Sequence, residues 1–266
     1  MHIIVCVKEI QDPEIPPSKF KLDEEAKRVI PPEGIPTVMS PYDEQAVELA
    51  LRLRDEQGGK ITLFTVGPES VSRIVKHGLA MGADEGIILE DKAFEGSDSF
   101  AVAYLLGKAI ERIGNYDLIL CGREAADWGE GLVGSLLAEA LGLPLVTLAE
   151  SVEVSGNRLH VKRVTLDGYQ VFSVPIPAVV TVSNEVGRPR LPTGWGIISA
   201  SQKSLPTWNA EEIEAEVSRL GAGAARKKFV KLFVPERKRT CEIIEGETVA
   251  EASAKLVKRM VESGMI

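Results

Sequence analysis

Gly122, Gly129, Gly131 and Gly134 recur in one short stretch, CGREAADWGEGLVGS, in company with Asp127 and Glu130. Glycine lets a main chain approach a ligand closely, and a helix that starts directly afterwards turns free N–H groups toward an anion, so the grouping suits a bound phosphate. The carboxylates pull the other way. Asp127 followed three residues later by Glu130 also fits a helix-capping pair, which would satisfy the same amides internally. Glu130 is compatible with a phosphate only if it points away.

A second set of amides follows Ser40 and Pro41, where a serine, a proline at the first helical position and Asp43 in the first turn mark a helix start; an anion site and simple capping by Ser40 are the two readings. Between these helix starts lies the strand end Cys6, Val7 and Lys8, with Val66 and Gly67 of TVGPES placed to close the floor. Together they outline a cleft suited to an adenine nucleotide. Neither G-x-G-x-x-G nor G-x-x-x-x-G-K-[ST] occurs, so the common dinucleotide fingerprint and the P-loop are both missing. Asp98 and Ser99 are either ligand contacts or a helix cap, the cap being the simpler role. His77 and His160 suit the surface or packing, and no nucleophile sits in an activating setting, so either the chain is not a catalyst in its own right or its chemistry belongs to a cofactor.

Alternating strands and helices must position these residues. The apolar runs His2 to Val7, Lys60 to Val66, Gly86 to Leu89 and Asp117 to Cys121 predict short strands buried on both faces, as in a parallel sheet. Helical patterns follow in SPYDEQAVELALRLRDEQ, ESVSRIVKHGLAMGAD and DSFAVAYLLGKAIERIG. The alternation predicts an α/β fold with a doubly wound, mostly parallel sheet. After Pro144 the pattern changes to alternating apolar and polar residues with Ser-Gly-Asn and Asp-Gly turns, predicting hairpins and a further strand that extend or flank the sheet. Glu185 to Trp208 predicts an exposed loop, NAEEIEAEVSRLG a short acidic helix, Ala224 to Gly246 a basic connection, and TVAEASAKLVKRMVESG a terminal helix. A nucleotide-binding domain over 1–205 and a C-terminal arm over 206–266 is the expected organisation, the arm either packing on another subunit or, as is more frequent, docking loosely.

Composition narrows the classes. With 266 residues, 44% hydrophobic and 26% charged, the chain can bury a full α/β core without disulfides. Three widely spaced cysteines and three histidines leave little material for a metal centre. A net charge of −8 disfavours general nucleic-acid binding. The opening MHIIVCV has no basic leader and no apolar run reaches a bilayer span, so neither a signal peptide nor a transmembrane helix is expected, and the cytoplasm is the expected setting.

VCVKEIQD, MSPYDEQAVELALRLRD, VGPES, LAMGADEGIIL, DLILCGREAADWGEGLVG and VPIPAVVTVSNEVGRPR, in this order and spacing over most of residues 1 to 205, resemble the β subunit of electron transfer flavoprotein, the family that includes FixA. The resemblance implies a nucleotide-binding α/β subunit of Rossmann-like, adenine nucleotide alpha hydrolase-like fold, in a heterodimer with a larger α subunit, and an electron carrier subunit rather than an independent catalyst. Electrons would pass through FAD held mainly by that partner, from an acyl-CoA dehydrogenase-type flavoenzyme toward a quinone reductase. In most such proteins the β subunit keeps AMP; in the electron-bifurcating branch a second FAD takes that place. By position, the nucleotide contacts fall on Cys6, Val7 and Lys8, on Ser40, Pro41, Tyr42 and Asp43, on Val66 and Gly67, and on the turn formed by Gly122, Arg123, Glu124, Ala125, Asp127, Gly129, Gly131, Leu132, Val133 and Gly134. Ser40 replaces the usual Asn, Tyr42 stands where an aromatic approaches the partner's flavin, and Val186 replaces the usual Leu of a partner-recognition loop.

Departures accompany the resemblance. Where the family reads like D-x-D-x-x-Q-V-G, this chain has DWGEGLVG, with Gly129 for the second Asp and Leu132 for Gln. One residue is added between Arg163 and Asp167, and Gln170 replaces an acid. DKAFEGSDSFAVA is closer to the bifurcating branch. A different class, the stand-alone universal-stress-type nucleotide sensor, shares the general fold, but it needs neither the long tail after Gly221 nor the loop around Val186.

Overall fold

The computed structural model describes residues 1–235 and 241–266; of the basic connection predicted over Ala224 to Gly246, positions 236–240 lie outside the described residues. The chain opens with β1 (His2–Cys6), then β2 (Glu9–Ile10), β3 (Lys21–Asp23), β4 (Arg28–Ile30) and β5 (Val38–Met39), of which β2–β5 and β3–β4 form small antiparallel pairs. Helix α1 (Pro41–Gln57) leads to β6 (Lys60–Val66), α2 (Ser72–Met81) to β7 (Glu85–Leu89), α3 (Ser99–Ile113) to β8 (Leu118–Gly122), and α4 (Val133–Leu141) to β9 (Leu145–Ser155). β10 (Arg158–Thr165), β11 (Gly168–Pro175) and β12 (Ala178–Val182) follow, then α5 (Gly194–Gln202), β13 (Thr207–Trp208), α6 (Gly221–Ala224) and α7 (Val249–Glu262).

One nine-stranded sheet runs β11-β10-β9-β12-β8-β1-β6-β7-β13. From β9 to β13 every neighbouring pair is parallel, and β10 and β11 extend the β9 edge as antiparallel hairpins. Parallel strands need crossovers, and the crossovers cover both faces, which is why Ile3, Ile4 and Val5 are all buried in succession. Ile3, Val5 and Leu63 pack with Val47, Leu51 and Ile74 of α1 and α2 on one face. Ile4, Phe64 and Ile119 pack with Leu105, Ile110 and Leu137 of α3 and α4 on the other. β1, β6 and β7 progress in one direction, whereas β8 returns to the opposite side of β1, so the winding reverses between β1 and β8. In open sheets that reversal opens a crevice at the carboxyl ends of the strands.

The α/β fold, the four leading strands, the three helical patterns and the hairpins agree with the expectations from sequence. Two segments differ. The predicted loop from Glu185 to Trp208 contains α5, capped by the Thr193 hydroxyl accepting from the Gly196 amide at 3.0 Å. Its Gly and Ser content and single buried residue, Ala200, hide it from periodicity. The predicted acidic helix over NAEEIEAEVSRLG is instead a set of turns with one 3₁₀ turn, Val217–Arg219. Asn209 and Glu212 do exchange reciprocal capping bonds at 2.9 Å, but Glu214 takes φ +52°, which stops the helix at once. β13 and the buried Ala210, Ile213 and Leu220 tie the stretch after residue 206 to the main sheet and its α3 face.

Candidate functional site

Asp43 holds the crevice together. Its two carboxylate oxygens accept the Lys8 amide of the β1 end at 2.8 Å and the Gly122 amide of the β8 end at 3.0 Å. Only 7% of the residue is exposed, and burial pushes its carboxyl up to about 7, against the pull of those two amides and of the Lys8 charge. Pro41 occupies the first position of α1, as expected, but Ser40 does not cap it through its hydroxyl. The Ser40 carbonyl accepts the Asp43 and Glu44 amides, while its hydroxyl lies 3.4 Å from the Ala126 amide. Ser40 therefore links the start of α1 to the glycine-rich turn. Beneath them Cys6 and Cys121 are register partners on adjacent strands, both buried, and the Cys6 thiol is pushed well up by its hydrogen bond to Cys121 and by burial.

Two kinds of glycine occupy the turn between β8 and α4. A Cβ on Gly122 would lie 2.5 Å from Asp43 Oδ1 and 2.8 Å from Tyr42 Cβ, and one on Gly134 would lie 2.6 Å from Thr181 Cγ2. These two permit close packing of the strand end on α1 and of α4 on β12. Gly129 and Gly131 are different: both adopt φ +62°, a Cβ on Gly129 would meet nothing nearer than 3.8 Å, and one on Gly131 would lie 3.3 Å from the Arg123 carbonyl oxygen. They shape an open left-handed turn on the crevice side of the sheet.

The capping reading of Asp127 and Glu130 is overturned. α4 begins only at Val133, with the apolar Leu132 at its N-cap position. Asp127 instead forms an ion pair with Lys8 at 2.7 Å, and Glu130 accepts from the Ser99 hydroxyl and pairs with Lys227 at 3.0 Å. Those two partners hold the Glu130 carboxyl below its usual range. Glu124 lies 3.6 Å from the Arg123 guanidinium, which also stacks over Tyr42. Every carboxylate of the turn has a cation beside it, so the acidic residues no longer argue against an anion. The Arg123 amide donates to the Val182 carbonyl, fixing the start of the turn, and the Gly129 amide to the Ala125 carbonyl, closing its middle.

Val7 donates its amide to the Phe64 carbonyl, which brings the β6 end with Val66 alongside β1. Gly67 donates to Leu89, and its missing side chain makes room for Val71 Cγ1. Asp98 caps α3, accepting the Phe100 and Ala101 amides. Val186 is buried to 6% exposure in a 3₁₀ turn and packs with α1, so the side chain expected to face a partner lies in the core. The exposed apolar side chains nearby are Leu191 at 87%, Trp195 at 79%, Ile197 and Ile198. Ser99, read from sequence as a ligand contact or part of a cap, instead holds Glu130, and reasoning from sequence missed Lys227 and Phe229 at the turn. Lys227 and Phe229 are remote in sequence, and only tertiary contact reveals them.

An uncapped helix start, open glycine positions and neutralised carboxylates fit an anionic group at the β1–β8 crevice. No helix among the described residues is long and apolar enough to cross a membrane.

Comparison with known proteins adds an independent line. The electron transfer flavoprotein domain profile matches residues 28–213. The chain is 36% identical to electron transfer flavoprotein subunit beta of Thermoanaerobacterium thermosaccharolyticum, with 98% of each chain covered. It is 34% identical to the caffeyl-CoA reductase-Etf complex subunit CarD of Acetobacterium woodii, over the full length of both. Similarity of 31% extends to the acryloyl-CoA reductase electron transfer subunit gamma of Anaerotignum propionicum, covering 98% of this chain and 100% of that one.

Proposed function

The chain belongs to the electron transfer flavoprotein family, and from that premise we propose that it is a β subunit that binds an adenine nucleotide between β1 and β8 and pairs with an α subunit. The observation that carries the nucleotide site is the start of α4, which no side chain of its own N-cap satisfies, beside a turn whose carboxylates are all paired with cations. Main-chain amides around Gly131 and Val133 would hold the phosphate. Ser40 and the β1 end at Cys6 to Lys8 would line the adenosine side, with Val66 alongside. AMP and a second FAD share this adenosine-phosphate portion.

When bound, flavin supplies the electron transfer chemistry; this chain supplies binding, orientation and a surface for its partners. Tyr42, clamped by Arg123 at the edge of the crevice, would face the FAD held by the α subunit. The names of two relatives, caffeyl-CoA reductase-Etf and acryloyl-CoA reductase, favour an acyl-CoA dehydrogenase-type flavoenzyme as the electron-exchange partner. The exposed Leu191, Trp195 and Ile198 offer that enzyme an apolar contact, in place of Val186. A quinone reductase is the proposed acceptor. Membership of the flavoprotein family displaces the stand-alone nucleotide sensor.

Co-expression with an α subunit tests the proposal. The purified heterodimer is expected to release, on denaturation, an adenine nucleotide beyond the FAD of the α subunit, its mass deciding between AMP and FAD. Its flavin is expected to be reduced by an acyl-CoA dehydrogenase with substrate. A heterodimer with no nucleotide assignable to this chain would refute the site, and flavin unresponsive to every such dehydrogenase would refute the partner.

A further inference from the structure

After α6 the chain turns back across the mouth of the glycine-rich turn, using residues beyond the segment matched by the family profile. Asp98, whose Oδ1 caps α3, accepts with Oδ2 the Arg226 amide at 2.7 Å and the Lys227 amide at 3.1 Å. The Arg226 guanidinium lies over the Phe100 ring at 4.8 Å. Lys227 Nζ reaches Glu130, and the Phe229 ring packs on Trp128 with centroids 4.8 Å apart. On the far side Lys27 Nζ donates to the Phe229 carbonyl at 3.0 Å. The contacts thus fall on three separate elements: the start of α3, the turn before α4, and the β3–β4 hairpin.

Two of these contacts act on the turn itself. Glu130 is one residue from Gly131, and with its carboxylate free it would repel an anion held by the neighbouring amides. Lys227 and Ser99 hold it on the α3 side and offset its charge. Trp128 is 43% exposed and Phe229 50%, so each ring finds an important part of its apolar cover in the other. The strap belongs to the same arm that carries α7.

We propose that the strap Arg226–Phe229 is part of the nucleotide site: Lys227 and Phe229 are positioning residues that hold the turn Asp127–Leu132 in its anion-binding form, and thereby join nucleotide retention to the seating of the arm. This rests on the nucleotide reading above. It adds that the cation is needed because of Glu130, so removing the Glu130 charge should make Lys227 dispensable.

The experiment follows nucleotide loss from the purified heterodimer, after dilution into excess AMP or FAD of distinguishable mass. Wild type, Lys227→Ala, Glu130→Gln with Lys227→Ala, and Phe229→Ala are compared, with Lys227→Arg as a conservative control. Lys227→Ala is expected to speed release by about tenfold, the scale of one charge-assisted contact. The double variant is expected to return to within about threefold of wild type. Phe229→Ala is expected to speed release by about fivefold, and Lys227→Arg to leave it near wild type. Release that is unchanged in Lys227→Ala, or a fast rate that Glu130→Gln fails to rescue, overturns the strap while leaving the nucleotide site standing. A wild-type heterodimer that carries no nucleotide on this chain overturns both. Lys227 is largely a surface residue, so its variants fold, and unchanged circular dichroism provides the control.

Discussion

Asp43 is the residue on which the crevice turns, because one buried carboxyl fixes two strand ends and the first turn of α1 at once. Its value of about 7 in the folded chain stands above the ordinary aspartate value of 3.8, with burial as the main cause and Asp127 adding to the rise. As pH climbs past about 4 the unfolded chain loses this proton while the folded chain keeps it, so stability falls until about pH 7 and levels off above. Within that window the slope from this group approaches about 1.4 kcal/mol per pH unit. Asp43→Asn should remove this part of the slope and cost about 1 kcal/mol at low pH, since its amide nitrogen cannot accept from both main-chain N–H groups. Urea unfolding from pH 4 to 8 measures both effects, and the same slope in both proteins would show that another group titrates.

The turn between β8 and α4 works as an element rather than as a string of side chains. Its glycines divide between packing and opening, and substitution should separate the two functions. Gly131→Asp places a carboxylate at a left-handed position whose Cβ would lie 3.3 Å from the Arg123 carbonyl oxygen; the left-handed φ costs about 1–2 kcal/mol, and the anion site is lost. Nucleotide content of the purified heterodimer is expected to fall to background, with the circular dichroism of wild type. Full nucleotide content in that variant would remove the turn from the site. At this scale the sequence was legible where the cause is local. Continuous apolar runs marked β1 and β6 to β8, Pro41 marked the start of α1, and Asp98 marked the cap of α3. It was illegible where the cause is distant. Asp127 and Glu130 are spaced like a cap, but Lys8 and Lys227 claim them from far along the chain. The capping pair at Asn209 and Glu212 is present, yet a single left-handed residue at Glu214 cancels the helix it announces.

For the whole molecule the arm poses the question of what covers it. α7 is capped by the Thr248 hydroxyl accepting from the Glu251 amide, and none of its residues is buried. Its apolar residues nonetheless recur at helical spacing, and Leu256, Val257 and Val261 are 47%, 52% and 57% exposed. The flanking chain holds the helix through Arg259, which pairs with Glu242, through Lys255, which donates to the Glu245 carbonyl, and through Gly246, which lies against Ala252. A helix of this pattern without a core to face is stabilised by another surface, and the α subunit of the heterodimer is the proposed one. Replacing Leu256 and Val261 together by Asp should weaken the heterodimer about 100-fold, close to 2.8 kcal/mol, because charged groups would enter an apolar contact. The isolated chain should unfold within about 0.5 kcal/mol of wild type, since both positions are half exposed already. Titration calorimetry with the α subunit reads the first effect and urea unfolding the second. Because the strap precedes α7 on the same arm, the weakened heterodimer should also release its nucleotide faster. Unchanged affinity for the α subunit would assign this face to another partner.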